Sequence, residues 1–438
     1  MGLGEHLRQQ LAAKALKRQL ERVSDGSAAA LPVAATAQHE PARNRFEAMP
    51  QYQQVKILRE MGEKLGVASP FFRVHDGVAG ATTTIGGRDY VNYANYNYLG
   101  LAGDPAVSAA AREAIERYGT SASASRMVAG ERPVQRELEH ALASFYGSDD
   151  CVAFVSGHAT NVTVIGSLFG PGDLIVHDSL AHNSIVQGAQ LSDAKRLSFA
   201  HNDWQALDAL LTRVRSEYRH VLIAIEGLYS MDGDMPELPR FVELRNRHGA
   251  FLLVDEAHSL GVLGATGRGI REHYDVPSDD VDLWMGTLSK TLAGCGGFIA
   301  GCQPLIDMLR HLAPGFLYSV GLSPVLAAAS LAALEVLQRE PQRVALLRAR
   351  GKQFLDEARA AGLDTGTSEG YAVVPVITGS SLKAAKWANA MFEDGINVQP
   401  IFYPAVEEKA ARLRFFICST HEPAQISATI ASLARLNR

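Results

Sequence analysis

The sequence predicts an α/β protein built on a mainly parallel sheet, and three observations carry that expectation. Between residues 104 and 300 the short apolar runs CVAFVS, DLIVH, VLIAIEG, FLLVDEAH, VDLWMG and GGFIAG alternate with stretches of helical periodicity. The runs are apolar throughout rather than at every second residue, the pattern of strands covered on both faces. Several close on a polar residue, and ligands of such sheets bind beyond the carboxyl ends of the strands.

The elements follow in order. From His6 to Val23, Leu7, Leu11, Ala15, Leu16 and Leu20 recur at helical spacing among Lys and Arg, and the low-complexity stretch SDGSAAALPVAATAQHEPA comes next. Residues 1–45 therefore read as a basic amphipathic helix and a flexible linker, either a solvated leader or a docking element for a partner protein. Residues 46–103 hold a second helical stretch, Arg45 to Gly66, and a hairpin signalled by alternation around Gly86-Gly87. The large domain is expected over 104–325, starting near Asp104. Residues 326–438 form a smaller α+β domain, entered by the Ala- and Leu-rich helix LAAASLAALEVLQRE and carrying strands around YAVVPVIT and RLRFFICS.

Composition narrows the function classes. With 438 residues the chain is long enough for two or three domains, and its 47% hydrophobic and 20% charged residues with net charge -5 describe a soluble globular protein without the basic footprint of a nucleic-acid binder. Cys151, Cys295, Cys302 and Cys418 are scattered with neither a CxxC pair nor histidines at ligand spacing, so no metal site or disulfide framework is indicated. The charged N-terminus has no signal-peptide segment, and no run reaches the roughly 18 apolar residues of a membrane span. A cytoplasmic protein with no transmembrane segment is expected.

Glu226, Asp255 and Lys290 lie at or just beyond the ends of successive predicted strands, which brings them to one edge of the sheet. An aspartate ending a buried strand needs a cationic partner. A lysine in a dry site beside a cation loses its proton more easily and attacks carbonyls. Lysine as Schiff-base former with aspartate on a pyridinium nitrogen is the protein side of pyridoxal phosphate chemistry. Thr287 and Ser289 add hydroxyls suited to a phosphate, and Gly294, Gly296 and Gly297 let the backbone turn closely. Taken singly, a lysine after a strand is more often a solvated end, and an aspartate at a strand end more often a cap or turn former, than a cofactor ligand.

VDEAHSLGVLGATGRG (254–269), GTLSKTLAGCGG (286–297), EGLYSMDGDMPEL (226–238), YNYLGL (96–101) and RLRFFICSTHE (412–422) together resemble the α-oxoamine synthases, fold-type I pyridoxal phosphate enzymes with an aspartate aminotransferase-like fold. The resemblance runs from about residue 70 to the C-terminus and leaves 1–45 outside it. It implies pyridoxal 5'-phosphate held by Lys290, with Asp255 on the pyridine nitrogen, His258 near the phenolic oxygen and His182 stacked on the ring. Gly157 and His158, the latter where the family has an aromatic or similar residue, Ser230, Thr287 and Ser289 are implied at the cofactor. Ser319 is implied as a hydroxyl offered to the neighbouring subunit's phosphate in a homodimer. Arg414 would hold a substrate carboxylate, and Asn97 is assigned to the substrate.

The implied reaction is a decarboxylative condensation of an amino acid with an acyl thioester, giving an α-amino ketone. Tyr96 to Gly100 reads Tyr-Asn-Tyr-Leu-Gly where many relatives read Asn-Asp-Tyr-Leu-Gly, which is similar to serine palmitoyltransferases and favours serine or alanine and a medium or long acyl chain. The donor is acyl-CoA or acyl carrier protein, and Arg8, Lys14, Lys17, Arg18 and Arg22 would suit the acidic helix of a carrier protein. The competing readings are an ordinary aminotransferase and a non-catalytic partner subunit; Lys290 speaks against the latter.

Overall fold

A computed structural model describes residues 45–64, 68–403 and 405–438. The basic helix, linker and carrier-protein contact expected over residues 1–44 lie outside the described residues. The expected hairpin is formed by β1 (Thr82–Ile85) and β2 (Arg88–Asn92), turned at Gly86 and Gly87. Both glycines have positive φ, the backbone that a tight two-residue hairpin turn requires.

The central sheet has seven strands: β3 (Asp150–Phe154), β4 (Leu174–Asp178), β5 (Lys195–Phe199), β6 (Val221–Glu226), β7 (Phe251–Asp255), β8 (Leu283–Thr287) and β9 (Gly297–Gly301). Their order is β3-β9-β8-β7-β6-β4-β5, and β9 runs antiparallel to both its neighbours while the remaining pairs are parallel. The sheet is the mainly parallel one that the apolar runs predict. β5 is not among those runs, because KRLSF lies at the sheet edge with its charged residues exposed.

Alternate side chains divide between two cores. Val152, Phe154, Ile175, Leu222, Leu253 and Ile299 face one side; Cys151, Ala153, Val176, Ile223, Val254 and Trp284 face the other. The helix Gly157–Leu168 covers the first face and packs on the helix Asn183–Leu191 so closely that a Cβ on Gly188 would lie 2.7 Å from Asn161 O. Asp104 caps the helix Pro105–Tyr118 through Ala106 N (2.9 Å). That helix and Pro133–Tyr146 pack against Pro324–Arg339 on the second face.

The C-terminal part adds a small antiparallel sheet, β10 (Val373–Ile377), β13 (Arg412–Phe416) and β12 (Gln399–Ile401), in the order β10-β13-β12. β11 (Ile396–Asn397) pairs in parallel with β2, tying the early hairpin to the C-terminal part. Val373, Leu413 and Phe415 continue the second core, so the small sheet is fixed against the large one by shared apolar packing. Among the described residues, no helix is long and apolar enough to cross a membrane.

Candidate active site

The carboxyl ends of β6, β7 and β8 bring Glu226, Asp255 and Lys290 together. Glu226 and Asp255 are the last residues of their strands, buried, and in register with one another. Asp255 accepts from Asn161 Nδ2 (2.8 Å) and Ala257 N (2.9 Å), and Glu226 accepts from His182 N (2.6 Å). Among the described residues, neither carboxylate meets a basic side chain at ion-pair distance. Burial, and then the charge of Asp255, push the Glu226 carboxyl well above the usual carboxylate range.

Lys290 follows β8 by three residues, and its ammonium lies 5.6 Å from the Tyr96 ring centroid. Burial lowers it from 10.5 to about 8, against the pull of Asp255 and Glu226 and with help from the Arg414 charge. At pH 8 an ordinary lysine is neutral in well under one molecule in a hundred. Here the neutral, nucleophilic form is abundant.

His258 is buried, with Nδ1 2.7 Å from Tyr98 Oη and its ring parallel to Phe416. Burial holds its protonation well below the ordinary range, aided by the charges of Lys290, Arg414 and His182. A neutral imidazole accepting from the tyrosine hydroxyl at Nδ1 keeps its proton on Nε2.

His182 N-caps the helix Asn183–Leu191, its ring nitrogen accepting from Ser184 N. Its Nδ1 lies 2.7 Å from Ser184 Oγ, and its ring meets His158 edge to face at 6.1 Å. Both rings are exposed in the cleft. Desolvation by the groups around it lowers the protonation of His182, with Asp255 opposing.

Gly157 opens the helix Gly157–Leu168 behind its cap Ser156, and a Cβ on it would lie 2.7 Å from Thr287 Oγ1. On Gly297 a Cβ would lie 2.6 Å from Gly157 Cα. The helix start, the end of β8 and the start of β9 can meet only because these positions lack side chains. Thr287 and Ser289, expected to face a phosphate, direct their hydroxyls at Gly296 O at 3.0 and 3.4 Å, closing the loop after Lys290.

Arg414 sits mid-strand on β13. Its Nη1 donates to Ser230 O and Met231 Sδ, both at 3.2 Å, and its guanidinium stands 4.6 Å from the Phe416 ring. Its Nε is buried without a partner, and desolvation lowers the charge's stability. Ser230 enters the cluster through its carbonyl. Asn97 instead turns its carboxamide to backbone, donating to Ala79 O (2.7 Å) and accepting from Ala102 N (3.1 Å). Its structural role is to shape the 96–102 turn. Ser319 lies apart, between the exposed Tyr318 and Val320.

Sequence reasoning misses Asn161, Tyr96 and Tyr98 as site residues. Asn161 is signalled only by a lone carboxamide in an apolar helix; Tyr96 and Tyr98 by their spacing of two, which puts both against His258.

The residues fit pyridoxal phosphate. Two buried carboxylates that meet no basic side chain at ion-pair distance among the described residues, a half-buried guanidinium whose Nε is enclosed without a partner, and an unpaired Asn161 Oδ1 converge around a partly neutral lysine. Such unpaired groups are costly unless a ligand answers them. The side-chain-free cradle at Gly157 exposes helix N-terminal amides, which suit a phosphate.

The family model for aminotransferases of class I and II matches residues 88–433. The 8-amino-7-oxononanoate synthase of Thermoanaerobacter pseudethanolicus is 35% identical over 384 residues, covering 87% of this chain and 97% of that protein. That of Geobacter sulfurreducens is 39% identical over 365 residues, covering 83% and 92%. Among solved structures, the Sphingomonas wittichii serine palmitoyltransferase superposes with TM-score 0.85 at 30% identity, covering 90% of this chain and 98% of that one. With its lysine, aspartate and histidines gathered at the strand ends of the matched region, the chain belongs to the class I and II aminotransferase family, on its α-oxoamine synthase branch.

Proposed function

We propose that this chain joins an amino acid to an acyl thioester, with loss of carbon dioxide and release of the free thiol, as a pyridoxal phosphate-dependent C-acyltransferase. The observation that carries the reading is the convergence of Asp255, a partly neutral Lys290 and an incompletely paired Arg414 in one cleft. The names of the relatives, 8-amino-7-oxononanoate synthase and serine palmitoyltransferase, support the same chemistry. One solved relative holds PLP.

When bound, the cofactor supplies an electron sink that stabilises negative charge on the amino acid's α-carbon. Lys290 would hold it, with Asp255 at its pyridine nitrogen, His182 and His258 at its ring, and Gly157, His158, Ser230, Thr287 and Ser289 toward its phosphate side. Asn161, hydrogen-bonded to Asp255, keeps that carboxylate aimed. Displaced from the cofactor by the incoming amino acid's amine, Lys290 is free to take the proton from the α-carbon and to return one after the new bond forms. Arg414 binds the amino acid's carboxylate with its planar fork. Acylation at the α-carbon makes the bound amino acid a β-keto acid, and its carboxylate leaves as carbon dioxide. His258, fixed by Tyr98, presents an N–H donor without adding a charge.

Serine or alanine, a medium or long acyl chain and a cytoplasmic location complete the proposal. A homodimer is supported by exposed apolar side chains, Met127 and Val128 on one segment and Tyr318 and Val320 on another. The segments are joined by Gly321 N donating to Ala124 O (2.9 Å). Ser319 would serve the partner's site from there. An acyl carrier protein as donor predicts that removing residues 1–40 raises its KM.

The test titrates the holoenzyme with glycine, L-alanine and L-serine while its visible absorption is followed, then adds acyl-CoA or acyl carrier protein. Equal release of free thiol and carbon dioxide with one amino acid is the expected outcome. A keto acid with pyridoxamine phosphate means an aminotransferase, and no spectral response after adding cofactor means a non-catalytic subunit.

A further inference from the structure

His201 lies outside the cleft, in the turn after β5, yet both of its ring nitrogens face carboxylates. Nδ1 is 2.9 Å from Asp178 Oδ1 and Nε2 is 3.1 Å from Asp234 Oδ2. A neutral imidazole carries one N–H and would turn a lone pair on one of these oxygens, so the geometry calls for an imidazolium. Burial works against that charge, but the two carboxylates outweigh it and raise the group to about 10. Asp178, Asp234 and the edge-on Tyr229 ring at 4.5 Å are the titratable groups that face it.

The two carboxylates belong to different parts of the fold. Asp178 ends β4, is fully buried, and also accepts from Leu180 N (2.7 Å) and Asn202 N (2.8 Å). Asp234 closes the loop after β6 and also accepts from Thr367 Oγ1 (2.8 Å), a residue of the C-terminal part. The loop is a closed turn, with Tyr229 N donating to Asp234 O and Gly233 N to Tyr229 O, both at 2.9 Å. It presses on β10: Gly233 has φ +70°, and a Cβ there would lie 2.0 Å from Val373 O. Within this turn stand Ser230 O and Met231 Sδ, the two acceptors of Arg414 Nη1, and Met231 O, which accepts from Arg412 Nη1 at 2.9 Å.

We propose that His201 is a positioning residue for amino-acid recognition: by clamping Asp234 to Asp178 it fixes the Ser230–Asp234 turn, and through that turn the guanidinium of Arg414. The inference rests on the reading of Arg414 as the group that binds the substrate carboxylate. Among the described residues no carboxylate is at ion-pair distance from Arg414, and two of the groups that hold its guanidinium, the Ser230 carbonyl and the Met231 thioether, move with the loop that carries them. A permanent cation suits the role better than a titrating one, since the clamp keeps its strength across physiological pH.

The test uses the holoenzyme and the steady-state constants for both substrates in His201→Gln, Arg414→Lys and the double variant. His201→Gln is expected to raise the amino-acid KM about tenfold, leave the thioester KM within about twofold, and add little in the Arg414→Lys background, as coupled residues do. A lowered Tm with unchanged KM, an equal fall for both substrates, or a full additive effect in the double variant overturns the inference. If Arg414→Lys alone leaves the amino-acid KM unchanged, the carboxylate reading fails instead. Should His201→Gln not fold, Thr367→Val, which removes one hydroxyl from Asp234, is expected to show the same split on a smaller scale. Nitrogen chemical shifts of labelled His201 report the clamp directly: imidazolium values from pH 6 to 9 support it, and a neutral ring at pH 8 overturns it.

Discussion

Lys290 offers the most direct measurement of the site's electrostatics. Its decrease from 10.5 to about 8 corresponds to ~3 kcal/mol against the ammonium form. Burial supplies the largest part, Asp255 and Glu226 oppose it, and Arg414 reinforces it. Because the group's protonation is lowered, the reactive neutral amine accumulates as pH rises through about 8. At pH 8 its population is on the order of a hundredfold above that of an ordinary lysine. In the cofactor-free protein, trinitrobenzenesulfonate labelling of Lys290 followed by peptide mass spectrometry reads that fraction. The expected rate profile has its midpoint near 8. Arg414→Gln removes a repelling cation and moves the midpoint up; Asp255→Asn removes an attracting anion and moves it down. A midpoint in the ordinary lysine range, or a downward shift in Arg414→Gln or an upward one in Asp255→Asn, would refute the assignment of causes.

Other predictions address the frame around the site. His421 is stacked on Tyr93 at 4.4 Å and accepts from Cys418 N, and burial lowers it from 6.5 to about 4. Its depressed value means that stability is complete above pH 6.5 and is lost as pH falls toward 4, with about 2 kcal/mol gone at pH 5; thermal melts of His421→Asn should lose that part of the pH dependence. Tyr98→Phe leaves His258 Nδ1 buried without its donor, which should cost about 1–3 kcal/mol in urea unfolding and lower kcat with little change in either KM. Gly233→Ala combines a positive φ with a Cβ 2.0 Å from Val373 O, so a loss of roughly 2–4 kcal/mol is expected in the same assay.

Much of the site is legible in the amino-acid sequence because strand ends are legible there. VLIAIE and FLLVD announce buried strands by unbroken apolar character, and the charged residue at each end marks where the sheet opens. Glu226 and Asp255 stand there in register. The helix cap at Asp104 and the Gly86-Gly87 turn follow from local chemistry in the same way. β5 is not legible, since an exposed edge strand rich in charge carries no burial signal. The partners of Asn97 are not legible either: its carboxamide bonds to the backbone around its own turn, and sequence does not say which way a polar side chain faces.

The sequence by itself determined the sheet class, the strand ends where chemistry gathers, and the order of motifs that marks the family, because these depend on local periodicity and on residue type. Only the tertiary structure decided what each charged group meets. Arg414 stands 184 residues from Ser230 along the chain, yet its guanidinium rests on the Ser230 carbonyl. His201 meets the carboxylates that favour its charged form only because folding sets Asp178 and Asp234 on either side of it. Charge states in a protein interior depend on distances between chain-remote groups and on exclusion of water, and neither exists until the sheets have packed.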